Sequence, residues 1–224
     1  MLVLTGTSGG LGSVVLSTIL EQDLIPAKAL RISSYSLKSV PQVAKDAGIE
    51  IRLGNMYDPP TLEHAYAGAD VLFLVSYPSV GPERFQLHKN AIDAAIKAGV
   101  KHILYTSLAW GRPGIDQGSE ADVLRAHLDT VKYLEKMGDE TAITWTIVRE
   151  ALYAHSWSNA AGFIDLNKPK EEPITAVIPG DGPIHWADRS ELGEGTAQIV
   201  AGWVRCIPHY CRSNTNRNSE TIYQ

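Results

Sequence analysis

Three glycines, Gly6, Gly9 and Gly12, stand at G-x-x-G-x-x-G spacing between an apolar triplet and a helix-like stretch. The triplet is Leu2, Val3 and Leu4, and Leu11, Val14, Val15 and Thr18 then recur at helical spacing. The order is strand, tight turn, helix. Gly6 permits a sharp exit from the strand with positive φ. Gly9 has no side chain, so a pyrophosphate can come close to the backbone, and Gly12 lets the helix pack tightly on the strand. The unpaired amides of the first helical turn and its positive dipole end then face the phosphates. Thr7, Ser8 and Ser13 add hydroxyl donors. Glycine-rich turns are common, and such spacing alone is a weak signal. Its place at the head of a strand–helix–strand pattern makes nucleotide binding the stronger reading.

That pattern repeats. Strands are expected at 2–4, 29–33, 49–53, 70–76, 102–107 and 142–148. Helices are expected at 10–22, 36–47, from Asp58 to a stop at Gly68, at 82–98 before Gly99, and at 119–137 before Gly138. Six alternations describe an α/β fold, a doubly wound parallel sheet of the Rossmann kind. Residues 1–150 form its dinucleotide-binding core, 151–204 a short, incomplete substrate lobe, and 205–224 a poorly ordered tail. Within the lobe, a short helix is expected in 151–163, a strand at 174–178, a turn at 179–183 and a helix at 189–202.

A net charge of −5 gives no electrostatic case for nucleic acid or an anionic membrane. No apolar run approaches a membrane span. A strand starting at residue 2 leaves no room for a signal peptide, so the reading is cytoplasmic. Cys206 and Cys211 flank His209 without a second Cys/His pair, which makes a metal site the weaker reading.

Ligands of such sheets bind beyond the carboxyl ends of the strands. The candidates for the cofactor are therefore Gly6, Thr7, Ser8, Gly9, Gly10 and Leu11, then Ser33, Ser34 and Lys38, then Asn55 and Met56. Ser76, Tyr77, Pro78, Thr106 and Glu150 complete them. An NAD site puts Asp or Glu at the end of the second strand. Ser33, Ser34, Tyr35 and Ser36 offer none, and with Lys38 they favour NADP(H) over NAD(H), although Lys38 also fits a solvated helix start.

The segments Leu4 to Gly12, Gly54-Asn55-Met56-Tyr57-Asp58 and Lys101 to Ser107 resemble the NmrA-like atypical short-chain dehydrogenases, most of all the NAD(P)H:quinone oxidoreductase type. Gly180-Asp181-Gly182 and Ala187-Asp188-Arg189 fit the same pattern. The resemblance implies an NADP(H)-dependent oxidoreductase acting on a quinone or conjugated carbonyl. Others of the family have lost catalysis and sense the dinucleotide ratio while binding a partner protein. Members usually carry Arg where Ser34 stands, and Lys at the position of Lys38. They also continue into a lobe covering the substrate cleft, a pattern this chain leaves near Trp203. A lost lid would expose apolar surface and favour a homodimer.

The Tyr-x-x-x-Lys pair of ordinary short-chain dehydrogenases is absent. The family's catalytic-helix position falls on His127, which reads either as proton donor to the reduced acceptor or as a helix histidine with no role. Glu150 and Tyr153 would line the nicotinamide end. Trp110, Trp145, Trp157 and Trp186 could build an aromatic pocket, though Trp145 reads as core.

Overall fold

Strands β1 (Leu2–Leu4), β2 (Leu30–Ser34), β3 (Glu50–Leu53), β4 (Val71–Leu74), β5 (His102–Leu108) and β6 (Thr144–Glu150) make one parallel sheet in a computed structural model. The structure describes residues 1–109, 121–156, 185–210 and 219–223. Spatial order is β3-β2-β1-β4-β5-β6, so the order reverses between β1 and β4 and a crevice opens there. The doubly wound parallel fold read from the alternation is the one observed. Crossovers are α1 (Gly10–Glu21), α2 (Gln42–Asp46), α3 (Pro59–Tyr66), α4 (Glu83–Lys97) and α5 (Asp122–Glu140).

Both faces of the sheet are covered, which is why its strands are apolar throughout rather than alternating. Period two still sorts the side chains. Leu2, Leu4, Phe73, Leu104 and Val148 pack with α1 and with α6 (Arg189–Tyr210) on one face. Val3, Leu72, Leu74, Ile103, Tyr105 and Ile147 pack with α3, α4 and α5 on the other. Gly99, at φ +81°, ends α4 in a Schellman turn, with the Val100 amide donating to Ala95 O at 3.0 Å.

Two expectations change. The stop expected at Gly138 does not occur. The helix runs on to Glu140, because Gly138 is spent on a close approach: a Cβ there would lie 3.1 Å from Trp145 Nε1. The weak helix at 36–47 divides into a 3₁₀ turn (Leu37–Ser39) and α2. Residues 205–210 and 219–223 carry regular secondary structure. There α6 continues to Tyr210, and β9 (Ser219–Tyr223) lies parallel to β6. Thr221, Ile222 and Tyr223 are strand formers, and β6 otherwise presents an unpaired edge.

Beyond β6, β7 (Leu152–Tyr153) pairs with β8 (Trp186–Ala187), which feeds α6. That helix lies against α1 so closely that a Cβ on Gly193 would fall 2.4 Å from Val14 Cγ1. The expected strand at 174–178, the turn at 179–183, Trp110 and Trp157 lie outside the described residues. No helix among the described residues is long and apolar enough to cross a membrane.

Candidate active site

The glycine turn takes the shape its spacing requires. Gly6 has φ +66°, and the Gly9 amide donates to Gly6 O at 2.9 Å. Gly9 is the N-cap of α1, with no side-chain cap and no acidic residue in the first turn. The amides of Gly10, Leu11 and Gly12 therefore have no acceptor within the helix. Gly12 lies flat on the turn: a Cβ there would come 2.3 Å from Gly6 O.

A cleft of about 610 Å³ opens from this turn across the ends of β1 to β4. Ser33, Ser34, Tyr35, Asn55, Met56 and Tyr57 form one wall. Val75, Ser76, Tyr77 and Pro78 form the other, with Leu62 and Tyr66 between. Tyr153, His155 and Arg189 close over the top. Two buried threonines set the wall after β4. Thr5 Oγ1 accepts the Val75 amide at 3.0 Å, and Thr106 Oγ1 accepts the Ser76 amide at 2.9 Å.

Behind Ser76 lies a buried polar network whose proton positions are fixed by its donors. Arg84, on α4, can only donate. Its Nη2 reaches Ser76 Oγ at 2.7 Å and His127 Nε2 at 3.2 Å. His127 therefore carries its proton on Nδ1 and donates it to Tyr105 Oη at 2.9 Å. The Tyr77 amide donates to His88 Nε2 at 2.9 Å, so His88 Nδ1 donates to Thr130 Oγ1 at 2.8 Å. Tyr105 is then left to donate to Ser76 Oγ at 3.3 Å, and Ser76 to His88 Nε2 at 3.2 Å. Both imidazoles are neutral. Burial, reinforced by the Arg84 charge, holds the His88 pKa down at about 3 and His127 well below its ordinary value.

Glu150 ends β6 in an apolar setting, 2% exposed. Burial pushes its pKa up to about 8, against hydrogen bonds from Tyr153 Oη and Thr196 Oγ1, each at 3.3 Å. It is a neutral acid at pH 7.

Residues 6–173 match the family model described as NAD(P)H-binding. The chain belongs to this NAD(P)H-binding family. It is 33% identical over 201 residues to an NmrA-like family domain-containing oxidoreductase of Aspergillus flavus, covering 88% of this chain and 61% of that one. It is 28% identical to quinone oxidoreductase 2 of Escherichia coli, covering 90% and 64%. It thus spans a little over three fifths of the length of these relatives. Among solved structures, the NADPH complex of the Escherichia coli quinone oxidoreductase superposes with a TM-score of 0.71 at 25% identity, covering 99% of this chain and 68% of that one. The NADP(H) complex of Citrobacter triphenylmethane reductase, at 23% identity and TM-score 0.73, shows the shared fold. The kinship with NmrA-like proteins of the quinone oxidoreductase type, expected from the sequence, is borne out.

In this NAD(P)H-binding chain most of the residues singled out from sequence face the cleft. Gly6, Thr7, Ser8, Gly9, Gly10 and Leu11 line it, as do Ser33, Ser34, Asn55 and Met56. Ser76, Tyr77 and Pro78 line its opposite side. Four residues stand elsewhere. Lys38 is exposed on the 3₁₀ turn after β2 and is not part of the wall. Thr106 is buried and supports Ser76 from behind. Glu150 is the last residue of β6 rather than one after it, and it accepts a hydrogen bond from Tyr153. His127 is 2% exposed, one layer behind Ser76, with both ring nitrogens engaged. The Ser34 hydroxyl is drawn into its own loop, donating to Ser36 O at 2.9 Å. Sequence reasoning missed Tyr66, His155 and Arg189, which long-range folding alone brings to the cleft.

Proposed function

We propose that the chain takes up NADPH in this cleft, and NADH less well, and reduces a quinone or conjugated carbonyl. The observation that carries the reading is a glycine cradle with free amides continuous with a wall at Ser76 that is backed by a buried cation. The kinship to quinone oxidoreductase 2 supports the acceptor class. Bound NADPH supplies two electrons as hydride, and one proton from solvent completes the hydroquinone.

The amides of Gly10, Leu11 and Gly12 hold the diphosphate. Tyr77 and Pro78 flank the nicotinamide end, and Ser76 Oγ offers that end a hydroxyl polarised by Arg84. His127 is a positioning residue in this scheme. A neutral imidazole that donates to Tyr105 fixes Tyr105 and Ser76 but has no proton to spare at pH 7. The wall near Ser34 carries no carboxylate among the described residues, which favours the 2′-phosphate over a bare ribose.

The test follows NADPH oxidation by absorbance with a panel of quinones. Turnover is expected, with tighter binding of NADPH than of NADH; equal affinities would refute the cofactor preference. His127→Gln is expected to slow turnover about tenfold with an unchanged pH profile. A loss of about 10²-fold or more, with one limb of the profile removed, would restore His127 as proton donor. A non-catalytic dinucleotide sensor is the second reading, favoured by the withdrawal of His127 from the cleft wall. Binding of both NADP⁺ and NADPH without turnover on any acceptor would support it.

A further inference from the structure

Among the described residues that line the cleft, Arg189 is the only one with a formal charge. It is the first residue of α6, and its side chain lies over the first turn of α1. A Cβ on Gly10 would meet Arg189 Nη1 at 2.5 Å and Cδ at 3.0 Å, so the guanidinium fills the space that the missing side chain leaves. Nη1 donates to His155 Nε2 at 3.3 Å, and His155 stacks on Tyr153 with centroids 5.6 Å apart and planes 14° apart. No carboxylate forms an ion pair with Arg189 among the described residues. The neighbouring Asp188 accepts from the Ser190 amide at 2.7 Å and from the Ser190 hydroxyl. The backbone beneath is held in place, since Gly193 packs on Val14 and Leu192 is buried in the core.

We propose that Arg189 clamps the diphosphate of the bound dinucleotide against the amide cradle of Gly10 to Gly12. This rests on the cofactor reading above. The cradle offers directional donors and a partial positive charge, and a full cation on the opposite side completes the neutralisation. A guanidinium presents two parallel N–H groups, which suits phosphate oxygens. Because it hangs over Gly10 rather than over Ser34, it meets the diphosphate common to both dinucleotides and not the 2′-phosphate.

The experiment is calorimetric titration of the full chain with NADPH and with NADH at several salt concentrations. Arg189→Ala is expected to weaken both nucleotides by a similar factor, about ten- to a hundredfold. The salt dependence of binding should become shallower, because one phosphate–cation contact is gone. Arg189→Lys should recover part of the affinity and the salt dependence, and Arg189→Gln neither. Melting temperatures of Arg189→Ala and Arg189→Gln check that each is folded; should the alanine variant not fold, the glutamine variant carries the same comparison. A loss confined to NADPH would overturn the assignment to the diphosphate. Unchanged affinities, with binding by the unsubstituted chain intact, would overturn the clamp alone. If the unsubstituted chain binds neither nucleotide, the cofactor reading falls and the clamp with it.

Discussion

Gly12→Ala is expected to abolish measurable NADPH binding and to destabilise the fold by several kcal/mol. The added methyl would meet Gly6 O at 2.3 Å, Gly6 C at 2.7 Å and Thr7 N at 3.1 Å. All three are backbone atoms, so no rotamer change relieves the contact. Either the start of α1 lifts from the turn or Gly6 and Thr7 move outward, and both displace the amides that face the cleft. Overpacking that forces side chains off their rotamers and shifts backbone costs about 1–3 kcal/mol, occasionally more. Gly202→Ala is the control. It lies in α6 with nothing within 4 Å of its Cβ position, and alanine there should be neutral or stabilising by up to about 1 kcal/mol. Titration with NADPH and urea denaturation of both variants check this. Near-native binding by Gly12→Ala would mean that the turn yields more readily than its contacts imply.

Stability is expected to peak near pH 6.5 and to fall steeply below it. His88, His102 and His127 are buried and neutral, at 0%, 2% and 2% exposure. Burial lowers His88 and His102 to about 3 and His127 in the same direction, from an ordinary 6.5. As pH drops below 6.5 the unfolded chain binds three protons that the native chain does not, so their contribution is full above 6.5 and lost on acidification. Glu150 acts oppositely. Its pKa rises from 4.5 to about 8, so unfolding releases its proton between those values. From pH 6.5 to 4.5 the net uptake on unfolding is two protons, a slope of about 2.7 kcal/mol per pH unit. From 6.5 to 8 only Glu150 acts, and stability falls by about 1.4 kcal/mol per unit as pH rises. Urea unfolding at a series of pH values measures both limbs. Glu150→Gln should flatten the upper limb and leave the lower one steeper. Stability that climbs without a maximum from pH 5 to 8 would contradict the assignment.

The fold was legible because its determinants are local. The Gly6–Gly9–Gly12 spacing, the apolar strands and the glycines after helices each announce themselves within a few residues. Features that serve tertiary packing misled. Gly138 looks like a helix stop and is a contact surface for Trp145. His127 looks available in isolation. Yet it shares the buried stripe of α5 with Ala126, Thr130, Val131 and Leu134, a spacing that could have assigned it to the interior. Lys38 follows the second strand as a phosphate-binding lysine would, but the 3₁₀ turn carries it outward. Arg189 and His155 reach the cleft from beyond the sixth strand, and although Ala187-Asp188-Arg189 fits the family pattern, spacing alone does not carry either side chain to the cleft.

If the cleft works as proposed above, the buried guanidinium of Arg84 has a consequence for which acceptors it would tolerate. It lies 8% exposed behind Ser76, and no carboxylate forms an ion pair with it among the described residues. A fixed positive potential at that depth is little screened by salt. Molecules that turn anionic as they gain electrons would be drawn in and held, while those arriving with a permanent positive charge would be discouraged at the threshold. Discrimination by charge would thus precede any discrimination by shape.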